Sequence, residues 1–145
     1  MFKHILLPTD GSSIASGMIK KTLAFAKESG AKVTGIHVMA DYQIFTYQPE
    51  MLADTREQFA RDSAAHARVF LAEIEAAAKE LGVSCDTMLV TDEQPYEAIC
   101  KAATDAGCDL ICMSSHGRRG VKGLLLGSET QKVLTHAQVP VLVFR

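Results

Sequence analysis

The sequence predicts a single doubly wound α/β domain, with a five-stranded parallel sheet in the order 3-2-1-4-5 and four helices, Rossmann-like in plan. Three observations carry this prediction. Apolar runs of strand length alternate with segments of helical periodicity from one end of the chain to the other. The runs at 5–7, 110–113 and 141–144 lack the polar alternation of a half-exposed strand, as expected for strands covered on both faces. The chain has 145 residues, the length of one domain, and can bury a core of its own.

Taken in order, residues 3–8 (KHILLP) form a first strand that Pro8 ends, and TDGSS supplies turn and cap residues. Ile14, Met18, Ile19, Thr22, Leu23 and Ala26 recur at helical spacing, with Gly30 as the stop. Lys32–Val38 reads as strand 2. The strongest periodic signal is a second helix through Leu52, Phe59, His66, Phe70, Ile74, Ala77 and Leu81, closed by Gly82, which puts His66 on its inner face. His37 is expected to pack or pair at the end of strand 2. Val83–Val90 is strand 3, Gln94–Ala106 a helix with Pro95 in its first turn, and Asp109–Met113 strand 4. A glycine-rich stretch leads to a helix over Glu129–His136 and a last strand over Val139–Phe144. The connection 39–51 carries Tyr42, Phe45, Tyr47 and Pro49, the composition of a lid or contact surface.

Composition excludes several functions. Fifteen basic against 17 acidic residues leave a net charge of −2, so no positive field gathers nucleic acid or anionic membrane. No apolar run approaches the roughly 20 residues of a membrane span, and the four-residue apolar stretch before Pro8 is too short for a signal peptide's core. The cysteines at 85, 100, 108 and 112 match neither a metal clip nor a disulfide framework. Cys85 and Cys112 read as small buried hydrophobes, and a cytoplasmic location fits.

Ligands of open α/β sheets bind beyond the carboxyl ends of the strands, where the strand order reverses. Two polar segments lie at such ends: Pro8–Ser13 after strand 1 and Ser114–Ser128 after strand 4. The second holds Gly117, Gly120, Gly123 and Gly127, the cations Arg118, Arg119 and Lys122, and then a helix start at Ser128-Glu129-Thr130. Unobstructed amides, cations and a helix N-terminus together form a phosphate cradle. It is neither a Walker P-loop nor a GxGxxG fingerprint. Asp10 has a second reading as a cap of helix 1, and Ser128 as the cap of the last helix.

These residues resemble the universal stress protein family. Its nucleotide-binding members carry G-x2-G-x9-G-[S/T] between the fourth strand and the last helix. This chain has Ser114-x2-Gly117-x9-Gly127-Ser128, and HILLPTDGS is similar to the family's opening strand and acidic turn. Ser114 stands where the pattern has its first glycine. The resemblance implies that Pro8, Thr9 and Asp10 lie near ribose and adenine, and that the backbone of Val38 reads the adenine edge. It places Met113, Ser114, His116 and Gly117 around the ribose and first phosphate, with Arg118 beside them as a cation that screens the phosphates. Gly127, Ser128, Glu129 and Thr130 would hold the outer phosphates. The ligand implied is ATP, AMP or ADP, with Mg²⁺ carried mainly by the phosphates.

Three functions compete on these residues: a nucleotide-binding regulatory module, a slow ATPase or nucleotidyl-transfer enzyme, and an interaction dimer with a vestigial pocket. No base held by a second residue and no paired carboxylates are evident, which weighs against the enzyme. The apolar run 139–144 forms a sheet edge, with Pro140 tolerated there, and an exposed edge of this kind invites an antiparallel homodimer. The resemblance implies the same pairing.

Overall fold

The computed structural model describes residues 1–11, 13–40, 52–115 and 126–145. Along them the order is β1 (His4–Pro8), α1 (Ser13–Ser29), β2 (Lys32–Met39), α2 (Leu52–Leu81), β3 (Cys85–Thr91), α3 (Pro95–Asp105), β4 (Leu110–Ser114), α4 (Ser128–His136) and β5 (Val141–Phe144). The strands form one parallel sheet in the order β3-β2-β1-β4-β5, as the sequence predicts.

Side chains of β1 alternate between two cores. Ile5 and Leu7 join Leu23, Val33, Ile74 and Cys112 beneath α1 and α2. Leu6 joins Ile36, Ile99, Ile111, Met113 and Val133 beneath α3 and α4. Both faces of β1 are thus apolar, which is why its sequence shows no period of two.

Several ends differ from the sequence expectation. β5 starts at Val141, not Val139. Pro140 precedes the strand and enters the sheet through its carbonyl alone, accepting from Ile111 N at 3.0 Å. Proline has no N–H to donate, so the ladder proper begins after it. α4 starts at Ser128, so its cap is Gly127 rather than Ser128. β4 begins at Leu110, and just before it the Asp109 carboxylate takes the amides of Lys3 and His4, at 2.9 and 3.0 Å. Gln94 and Ala106 are caps of α3, not members of it, and β3 spans Cys85–Thr91.

α2 runs 30 residues, and of its expected inner face Ile74 is buried with Ala77 and Leu81 packed against the core, while its more N-terminal positions differ. Ala67, Leu71, Ile74 and Ala78 are buried, whereas Phe59 is 36% exposed and His66 is exposed, its Nδ1 on the Asp62 carbonyl. His66 is therefore not an inner-face residue. The small Ala67 is the fully buried residue at this level of the helix, and its bulkier neighbour His66 is exposed. Cys112 is fully buried but Cys85 only partly. Burial pushes the thiols of Cys108 and Cys112 up to about 11, so neither is a thiolate near neutrality.

His4 is buried at the amino end of the sheet, its Nε2 2.7 Å from Thr34 Oγ1. Burial, helped by the charge of Lys32, holds its pKa below 6.5 against the opposing pull of the Ala106 carbonyl and of Asp109. A histidine whose folded pKa lies below its unfolded value stabilises the fold fully above pH 6.5. That contribution is lost as pH falls through the folded pKa. Urea titrations of the wild type will show unfolding free energy declining as pH falls below 6.5, and His4→Asn will show a shallower decline just below that pH. Parallel curves would contradict this assignment.

Candidate functional site at the β1–β4 reversal

The strand order reverses between β1 and β4, and the crevice above this point is bounded by three described segments. The first is the turn after β1. Thr9 extends β1 by one bond, its N donating to Ile36 O at 2.9 Å. Gly11 N donates to Thr9 Oγ1 at 3.2 Å, closing a small turn with Asp10 between them. Gly11 has φ +75°, and a Cβ there would lie 2.3 Å from the ring of Phe70 on α2. Only glycine combines that dihedral with that proximity. His37 meets the same Phe70 ring edge-on, with centroids 5.5 Å apart, and its Nδ1 lies 2.8 Å from Thr9 O.

The second segment is the carboxyl end of β2. N–H and C=O groups along a strand alternate between its two neighbours. Lys32 N bonds Lys3 O and Ile36 O accepts from Thr9, both on the β1 side. Val33 N and Met39 O bond on the β3 side. By this alternation the N–H and C=O of Val38 point toward the β1 side, beyond the last β1–β2 rung.

The third segment is the junction of β4 with α4. The chain leaves the described residues at Ser115 and returns at Leu126, and the two ends are bonded: Gly127 N donates to Ser115 O at 2.6 Å. Thr130 is buried, and its hydroxyl donates to Ser114 O at 2.8 Å. Gln131 Nε2 donates to Leu126 O at 2.9 Å. α4 is thereby aimed with its first turn at the end of β4. Gly127, its N-cap, provides no side-chain cap, so the first-turn amides lack an internal acceptor. Glu129, the acidic residue of that turn, is turned to α3, where Oε2 accepts from Tyr96 N at 3.1 Å and Oε1 from Lys132 Nζ at 3.1 Å. It serves as the cross-helix cap that Gln94 does not supply.

Pro8, Thr9, Asp10, Val38, Met113, Ser114, Gly127, Ser128, Glu129 and Thr130 are thus gathered around one reversal point. His116, Gly117 and Arg118, with Arg119, Gly120, Lys122 and Gly123, lie outside the described residues, as do Ser12 and Tyr42, Phe45, Tyr47 and Pro49 of the aromatic connection. Two supports were not legible in the sequence. Phe70 reads there as one more apolar position of α2, and Tyr96 as an ordinary residue of α3. Their contacts with Gly11 and Glu129 join distant elements and leave no local signal.

A parallel sheet with an acidic turn on one side of its reversal point and an open helix N-terminus on the other is the layout of doubly wound proteins that take a small ligand there. The chain matches the Universal stress protein family over residues 1–145 and belongs to that family. It is 35% identical over 146 residues to a universal stress protein of Thermus aquaticus, covering 100% of both chains. It is 30% identical over 156 residues to universal stress protein MJ0577 of Methanocaldococcus jannaschii, covering 100% of this chain and 96% of that one. A solved structure of MJ0577 superposes with a TM-score of 0.84 at 31% identity, covering 99% of this chain and 95% of that chain. A universal stress protein in complex with cAMP shares the fold, with TM-score 0.69, 20% identity and coverage of 99% and 97%. So does one from Archaeoglobus fulgidus in complex with dAMP, with TM-score 0.66, 16% identity and coverage of 99% and 98%.

Proposed function

We propose that this universal stress protein is a cytoplasmic regulatory module that binds an adenine nucleotide, ATP, AMP or ADP, and acts as a homodimer with at most slow hydrolysis. One juxtaposition carries the reading: outward-turned backbone groups at Val38 and an open α4 N-terminus at Gly127 flank a single crevice. The first suits the hydrogen-bonding edge of a base and the second an anion. Pro8, Thr9 and Asp10 line the ribose side. Met113, Ser114 and, in the adjoining segment, His116, Gly117 and Arg118 meet the ribose and first phosphate. Ser128, Glu129 and Thr130 contribute first-turn amides. The hydroxyl of Thr130 and the carboxylate of Glu129 already have protein partners, so their part is structural.

No group of three His, Cys, Asp or Glu able to hold a metal occurs among the described residues. Mg²⁺ favours water and phosphate ligands over an all-protein cage, so the ion would travel on the phosphates, with Asp10 as the carboxylate of the adjoining turn. Mass spectrometry of small molecules released by denaturing freshly purified protein tests the nucleotide reading. An adenylate near one equivalent is expected. None released, together with no calorimetric heat from millimolar AMP, ADP or ATP, would overturn it.

The dimer is proposed through β5, the sheet edge next to β4. Phe144 O bonds Ser115 N and Pro140 O bonds Ile111 N, so the backbone groups of the even positions point to β4 and the N–H and C=O groups of Val141 and Val143 point to the open edge. Truncation after Val139 would also strip Leu142 and Phe144 from the core they pack against. Val143→Pro is the cleaner test because it removes an outward N–H and no rung to β4. Sedimentation should show this variant shifted to monomer, and an unchanged dimer would exclude pairing through this edge. Among the described residues no helix is long and apolar enough to cross a membrane.

A further inference from the structure

The junction of β1, β2 and α2 assigns a role to His37, resting on the nucleotide reading above. Thr9 sits one step beyond the Pro8–Ile36 pair, opposite His37, and its N–H bonds Ile36 O. In a parallel ladder the next rung would run from Val38 N–H to Thr9 O. That carbonyl takes its bond instead from the imidazole of His37, at 2.8 Å. Because a carbonyl only accepts, Nδ1 carries the proton. The ring is fixed in this pose by the edge contact with Phe70, and Phe70 in turn fills the space beside Gly11.

We propose that His37 is a positioning residue that caps the Thr9 carbonyl, ends the β1–β2 ladder at Ile36, and so keeps the Val38 amide turned into the crevice for the base. Without an imidazole donor, Thr9 O would be left buried and unsatisfied. The nearest available backbone donor is Val38 N–H itself. The ladder would lengthen by one rung and close the edge that reads the ligand.

Two variants separate the donor from the ring. His37→Phe keeps an aromatic ring against Phe70 and has no donor. His37→Asn gives up the ring and retains a δ-position N–H. Amide exchange of Val38 followed by NMR in ligand-free protein should slow tenfold or more in H37F, and AMP affinity by calorimetry should fall tenfold or more. H37N should stay within threefold of wild type in both measurements, even if it melts earlier. The proposal is overturned if the Val38 amide of H37F exchanges at the wild-type rate, if H37F binds AMP as the wild type does, or if a folded H37N loses AMP as fully as H37F. Should H37F not fold, H37L, which also lacks a donor, carries the same comparison. A wild type that binds no adenylate would sink the nucleotide reading, while Val38 exchange would still decide what His37 does to the ladder.

Discussion

Replacing Gly11 with alanine is expected to lower the unfolding free energy by about 2–5 kcal/mol, the largest stability loss of any single methyl addition considered. Two costs combine. A non-glycine residue at φ +75° leaves its preferred region, at about 1–2 kcal/mol. The new methyl would lie 2.3 Å from the Phe70 ring, and relieving such overpacking costs about 1–3 kcal/mol. Phe70 cannot withdraw cheaply, since it also orients His37. Against a total stability of about 5–15 kcal/mol for an ordinary domain, this is a large fraction. Thermal denaturation should show the midpoint falling by about 4 °C or more. Adding Phe70→Leu to the alanine variant should restore the packing part and leave the dihedral part. A midpoint within 2 °C of wild type, on the same ~2–4 °C per kcal/mol scale, would show that the turn has another way to accommodate a side chain.

The second large effect concerns ligand rather than fold. Gly127→Val is expected to reduce adenylate affinity about a hundredfold, the equivalent of roughly 2.7 kcal/mol, while costing the fold about 1 kcal/mol for a poorer N-cap. Gly127 has φ −57° and ψ 146°, a conformation open to any residue, so strain does not drive the change. Its N–H bond to Ser115 O survives the substitution. What changes is the approach to the first-turn amides of α4, where a branched side chain would stand in the way of a phosphate. Calorimetry with ATP and AMP reads the affinity, and a thermal melt reads the fold. Equal affinity in the variant and wild type would place the phosphates elsewhere.

How much of this was legible beforehand depends on the range of the interaction. The parallel sheet follows from the alternation of elements and both-face burial of β1 and β4 from their uninterrupted apolar runs, whereas the strand order is compatible with the alternation but not dictated by it. Pro8–Asp10 and Gly127–Thr130 follow β1 and β4 in the chain, and the pairing of those two strands brings them to the reversal. Element ends were less legible. Pro140 reads as a strand residue until its carbonyl is seen to be its only tie to the sheet, and Ser128 reads as a cap until Gly127 takes that position. On α2 Ile74, Ala77 and Leu81 lie in or against the core as expected, but Phe59 and His66 do not, and the small Ala67 was overlooked because larger residues outweigh it in any hydrophobic tally. The bonds that tune the site, His37 to Thr9 and Glu129 to Tyr96, run between elements remote in sequence. Their existence depends on angles that no residue pattern records.

The bond from Gly127 to Ser115, with that from Thr130 to Ser114, has a consequence for how this protein can be re-engineered. The two anchor points are held together by the framework itself, so any length of chain between them closes on a fixed pair of ends. Doubling the length of such a connection costs only about 0.6 kcal/mol in closure entropy. Epitope tags, reporter peptides or altered recognition sequences grafted there should leave thermal resistance nearly untouched, which makes this the natural place for selection, or a designer, to retune what the molecule grips.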